Sequence, residues 1–187
     1  MKKLFIIIII FISFQSWTKA DDIRDFEIGG MSIGDSLLKF MSVDEINNNT
    51  FENYFKNGKK RKYYATGFYD SDKYDQLEIY IKTGDDNFKI RAITGFTIIN
   101  KLKKCLSLKN GIVDEIQSLF INIEPESYND VSHTFDKSGN SKQYQTAFLL
   151  KNDAEKDHIR IECTKWSKEI KKEKDFSDSL GVSVFST

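Results

Sequence analysis

From Leu77 to Ile81 and again from Phe88 to Ala92 apolar side chains recur at every second position, and from about Lys101 they recur at the three-and-four spacing of a helix. This change of period constrains the fold more than any other feature of the chain. Leu77, Ile79 and Ile81 alternate with Glu78, Tyr80 and Lys82, the pattern of a strand with one buried and one wet face. Thr83-Gly84-Asp85-Asp86-Asn87 is turn chemistry, after which Phe88, Ile90 and Ala92 resume the alternation in a strand running to about Ile99. Gly95 inside that strand is a candidate bulge. From Lys101 to Phe120 an apolar stripe of Cys105, Leu108, Ile112, Ile116, Leu119 and Phe120 follows, in which Gly111 costs up to about 1 kcal/mol that packing must offset.

The flanking segments extend the same reading. Phe26 and Ile28 alternate into Gly29-Gly30, a short extended lead-in. A helix is expected next, capped by Asp35 or Ser36, with Leu37, Phe40 and Met41 on one face. Ser42-Val43-Asp44-Glu45 has the spacing of a capping box, and the helix it opens should end in the run Asn47 to Asn49. Lys62 to Tyr69 is a tyrosine-rich strand followed by the turn Asp70-Ser71-Asp72. After Pro125, strands are expected around Val131, His133 and Phe135, around Tyr144 to Leu150, around Ile159 to Cys163, and at Val182 and Val184. Turns fall at 136–140 and 151–153, and Lys168 to Asp175 is a solvated loop or helix turn. The order is a helix then about three strands, twice, with a last strand added. The expected class is α+β, an antiparallel sheet with helices packed on one face, built from two helix-plus-three-strand halves.

The first residues carry a different message. Lys2 and Lys3 precede an unbroken apolar run from Leu4 to Ile12 and a cleavage site at Thr18-Lys19-Ala20, the three-part pattern of an export signal. A membrane anchor needs about twenty apolar residues, roughly twice this run. Residues 1–20 are therefore expected to be cleaved, leaving 21–187 as a single α+β domain, periplasmic or secreted, with no later membrane span. The whole chain holds 28 basic and 28 acidic side chains, so loss of the three signal lysines leaves the domain about three charges negative. That balance argues against a nucleic-acid partner bound through phosphate neutralisation. Cys105 and Cys163 form an even pair in an exported chain, and a disulfide between them would clamp the long helix to a sheet strand.

Gly30-Met31-Ser32-Ile33-Gly34 matches the nucleophile-elbow spacing, but such an elbow follows parallel strands, and here it opens the mature chain; the glycines are read as a tight turn. His133 and His158 are the only near-neutral bases, and neither has a companion at metal-ligand spacing. No catalytic residue, metal or cofactor is assigned. Asp70, Asp72 and Asp75 lack the glycine and glutamate of a calcium loop. Lys56, Lys59, Lys60, Arg61 and Lys62 run into Tyr63 and Tyr64, a basic and aromatic cluster suited to an anionic glycan, phosphate or lipid headgroup. Lys59, Lys60, Arg61, Lys62 and Tyr64 are the candidate ligand-binding residues, against the alternative of a solvated loop. Trp166 is either a core aromatic at a strand end or an exposed contact.

The stretch Asp25-Phe26-Glu27-Ile28-Gly29-Gly30-Met31-Ser32-Ile33-Gly34-Asp35-Ser36-Leu37-Leu38, with Asp136-Lys137-Ser138-Gly139 and Trp166-Ser167-Lys168-Glu169, resembles a family of small exported proteins of AT-rich marine alphaproteobacteria. The resemblance implies an exported domain and carries over no catalytic or binding residue. The expectation is a soluble periplasmic binding or interaction module without enzymatic activity, whose partner is an envelope protein or an anionic ligand. The alternatives are a small secreted hydrolase, with a histidine and a carboxylate in a pocket, and an envelope-assembly accessory protein.

Overall fold

The structure is a computed structural model that describes residues 23–50, 62–69, 73–120, 122–150 and 157–186. Its frame is a seven-stranded, wholly antiparallel sheet in the order β3 (Tyr63–Tyr69), β4 (Gln76–Lys82), β5 (Ile90–Ile98), β9 (Ser179–Phe185), β8 (His158–Lys165), β7 (Lys142–Leu149), β6 (Glu126–Ser132). A two-stranded hairpin, β1 (Glu27–Ile28) with β2 (Met31–Ser32), and three helices, α1 (Val43–Asn48), α2 (Leu102–Leu119) and α3 (Lys168–Lys174), complete it. The fold is α+β, as the change of period implies. The added last strand does not extend an edge: β9 enters the middle and joins β3–β5 to β6–β8.

Pairing in the sheet sorts side chains onto two faces, because successive residues of a strand point oppositely. Ile79, Ile93, Val184 and Ile159 stand in register on one face, and all are buried. The described helix α1, the β1–β2 hairpin and helix α2 all meet that face. Thr66, paired with Ile79, donates its hydroxyl to the Ile46 carbonyl of α1 at 3.0 Å. A Cβ on Gly29 would lie 2.7 Å from Leu77, which shows how closely the hairpin is seated. Cys105 of α2 is bonded to Cys163 of β8, with 6.0 Å between Cα atoms.

Local chemistry accounts for most element ends. Gly29 and Gly30 both have positive φ, +61° and +76°, which suits the two-residue turn between β1 and β2. Ser42 and Glu45 make both bonds of the capping box on α1, which ends at Asn49. Ser167 caps α3, so the charged segment after Trp166 is a helix. Two expectations fail. The segment after Ser36 is a single 3-10 turn, Leu37–Lys39: Ser36 caps it, but only Leu37 is buried and Phe40 is 44% exposed, so no apolar stripe sustains a helix. The strand after Pro125 is β6, wholly exposed and finished at Ser132, while His133 begins the turn in which Asp136 accepts four bonds.

In that turn Asp136 Oδ2 accepts the hydroxyl and N–H of Ser141 at 2.6 and 2.9 Å, and Oδ1 accepts those of Ser138 at 2.7 and 3.0 Å. The Ser141 hydroxyl first, then that of Ser138, holds this carboxyl far below its ordinary range. The stabilisation belongs to the charged form, so it is present at neutral pH and fades as pH falls below about 4. Asp136→Asn should lower the melting temperature at pH 7, and the deficit should narrow between about pH 4 and 2; a pH-independent deficit in thermal scans would contradict this account.

The disulfide closes a loop of 58 residues. Cross-linking a loop of that length removes enough unfolded-state entropy to stabilise by roughly 4 kcal/mol. Cys105→Ser with Cys163→Ser should therefore shift the urea midpoint strongly downward, and intact-mass measurement should find no alkylated thiol before reduction.

Candidate functional site

An irregularity in β5 helps to build a polar hollow at one end of the sheet. Tyr80 pairs with Ala92 but Ile81 pairs with Ile90, so Arg91 is the extra residue of a β-bulge. A bulge bends its strand and re-aims the side chain it carries. The expected bulge at Gly95 is absent; a Cβ there would lie 2.5 Å from the Tyr74 ring, so that glycine makes room for an aromatic instead. On the other side of the bulge, the Ser186 N–H donates to the Arg91 carbonyl at 2.8 Å. Ala92, Phe185 and His158 stand in register across β5, β9 and β8. The residues just outside that row are Arg91, Ser186 and Asp157, so the register itself brings them to one end of the sheet.

The segment after β2 closes this end. Gly34, at φ +87°, donates to the Ile90 carbonyl, and the Ile90 N–H donates to the Asp35 carbonyl, both at 2.9 Å. Ser36 bridges to Lys89, and its hydroxyl donates to the Asn87 carbonyl at 2.7 Å. The resulting cleft, open to solvent on one side, has a volume of about 670 Å³ and is lined among others by Arg24, Ser32, Asp35, Lys89, Arg91 and Asp157. Asp35 is matched within its own turn: the Lys39 ammonium, then the Ser32 N–H, holds its carboxyl below the usual range. Arg91 and Asp157 are not so matched. Nε of Arg91 and Oδ1 of Asp157 are buried without a hydrogen-bond partner, and Asp157 is only 6% exposed. Nε of Arg160, unpartnered by the same criterion, at least lies 3.4 Å from Glu162 Oε2.

An unpaired buried polar group costs about 1–3 kcal/mol, more when charged. Two of them, of opposite sign and in one cavity, do not satisfy each other here. Such groups persist in native folds where a water, ion or ligand completes them or where the site is functional.

Of the basic cluster, Lys56, Lys59, Lys60 and Arg61 lie outside the described residues. Lys62 is exposed, with its ammonium 5.1 Å over the Tyr63 ring. Tyr64 lines a second cavity of about 430 Å³ with Asn47, Thr50, Asp85 and Asp86. Burial, then the charge of Asp85, pushes its phenol pKa up. The lining beside Tyr64 is thus acidic. Ser32 lies in β2 and donates its N–H to Asp35 Oδ2 at 3.2 Å, in a hairpin rather than a strand-to-helix elbow. His133 sits 4.3 Å from the Trp166 ring and accepts the Phe135 N–H on Nδ1 at 3.1 Å. Burial chiefly lowers its pKa, Asp136 opposes this, and Arg160 adds to it. His158 stacks on Phe185 at 4.4 Å. Neither histidine lines either cavity. Trp166 packs between His133 and Phe176. Asp70 and Asp72 fall outside the described residues, while Asp75 Oδ2 accepts the Ile98 N–H at 2.6 Å. Among the described residues no group of three or more His, Cys, Asp or Glu is placed to hold a metal, and no helix is long and apolar enough to cross a membrane.

No family model, curated protein or solved structure matches the chain.

Lys89, Arg91 and Asp157 did not stand out in the sequence. A signal for Arg91 exists: Ile90 and Ile93 are both fully buried but three apart, and adjacent apolar Ala92-Ile93 breaks the alternation where the bulge sits. Asp157 has no comparable local mark, because its neighbours in space come from the other half of the sheet.

Proposed function

We propose that this chain is an exported, non-enzymatic binding module of the periplasm or extracellular space, and that the cavity at the end of the sheet takes a small anionic ligand. One observation carries the reading: Lys89 and Arg91 line a single cavity in which a guanidinium nitrogen is buried and unsatisfied. Guanidinium donors are matched to carboxylate and phosphate oxygens, so an anion in the cavity would be held between the Arg91 guanidinium and the Lys89 ammonium. The export signal and the single disulfide support the compartment. The sheet is a support for such a site, since Ile90 and Ala92 on either side of Arg91 pair with β4 and the Arg91 carbonyl accepts the Ser186 N–H.

A ligand that binds only the folded state raises the melting temperature, by about 2.7 kcal/mol of stability at a hundredfold excess over Kd. Glutarate or inorganic phosphate should therefore raise the melting temperature of the protein, and Lys89→Gln with Arg91→Gln should abolish that rise while leaving the unliganded transition cooperative. No shift with either anion, or a shift that survives the double substitution, would count against this cavity as the site.

A further inference from the structure

We infer that the ligand is amphoteric: an acidic α-amino acid, with its ammonium on Asp157 and its two carboxylates on Arg91 and Lys89. The inference rests on the reading of the cavity as a ligand site and deepens it. A purely anionic ligand leaves one feature of the site unexplained. Asp157 lines the same cavity, is more than nine-tenths buried, and keeps Oδ1 without a partner. A plain dianion placed beside that carboxylate meets like charge in a poorly solvated setting, where repulsion is strongest. A hydroxyl on the ligand would complete the hydrogen bond but not the charge. An ammonium completes both, and a buried charge is tolerated when it is paired as well as hydrogen-bonded.

Arg91 lines the same cavity, and a carboxylate can engage its planar guanidinium through two bonds. Lys89 supplies a second cation in the same wall. Lys89, Arg91 and Asp157 are matched by two carboxylates and one ammonium on the ligand, and Arg24 is a third cation in the lining. The ion pair of Asp35 with Lys39 keeps that carboxylate out of the count. A cavity of about 670 Å³ accommodates a free amino acid with room to spare, so an acidic residue at the amino end of a short peptide shares the same chemistry.

The test compares glutamate with glutarate, which keeps both carboxylates and lacks the ammonium, by titration calorimetry on the disulfide-bonded protein. Glutamate should bind about tenfold or more tightly than glutarate, the worth of one charge-assisted hydrogen bond. Asp157→Asn should bring glutamate down to the level of glutarate and leave glutarate no weaker, whereas Arg91→Gln should weaken both. A dipeptide with amino-terminal glutamate, compared with free glutamate, distinguishes the two sources. If glutarate binds the unaltered protein as well as glutamate does, the amphoteric inference falls and the anion site stands. If neither binds, both fall. Should Asp157→Asn fail to fold, the ratio of the two ligands on the unaltered protein still decides.

Discussion

Strand β9 hydrogen-bonds to β5 on one side and to β8 on the other, and this double pairing is what makes one sheet out of two three-stranded blocks. β8 is the strand before β9, but β5 lies far from β9 in the chain, so that pairing must repay a large loop-closure cost before it stabilises anything. Its return is a deeply buried row of the core, in which Val184 lies between Ile93 and Ile159, all at 2% exposure or less. Even the polar face is closed here, with the Thr94 hydroxyl donating to Ser183 at 2.9 Å. The disulfide shortens the effective loop between β5 and β9 by tying α2 to Cys163, the residue paired with Leu180 of β9.

Helix α2 covers that row with a stripe that is not wholly apolar. Lys109 is 4% exposed and donates its ammonium to the Thr146 hydroxyl at 2.7 Å, which in turn shares a hydrogen bond of 2.9 Å with the hydroxyl of Ser127. Burial pulls the Lys109 pKa down, as expected for an ammonium taken from water with only neutral partners. A charged chain tip at the centre of a helix-to-sheet contact is tolerated because a hydroxyl network receives it. Leu108, one position earlier, is 44% exposed, so the helix is rotated relative to the stripe that hydrophobicity alone suggests.

The cavity depends on the same frame. Arg91, Ser186 and Asp157 lie just past one register row of β5, β9 and β8, and the bulge turns Arg91 out of the alternation. An acidic turn carboxylate such as Asp136, by contrast, is answered four times over within its own loop. Satisfied polar groups stabilise the fold, whereas unsatisfied ones of opposite sign in one hollow lower its stability. That contrast separates the structural carboxylates of this protein from the one assigned to a ligand.

Sequence alone determined what acts over short range. The alternation of Leu77, Ile79 and Ile81, the capping box of Ser42 and Glu45, the turn of Gly29-Gly30, and the helix from Lys101 to Phe120 follow from backbone sterics and local hydrogen bonding. The basic run from Lys59 to Lys62 was conspicuous because its charges are contiguous, and contiguity is a property of the chain rather than of a site. Tertiary structure decided what depends on distant partners: the central place of β9, the burial of Lys109 in a stripe otherwise read as Leu108 and Ile112, and the meeting of Arg91 with Asp157. Each of these is set by strand pairing across the whole domain, and a local pattern of residues contains no information about which strand will lie beside which.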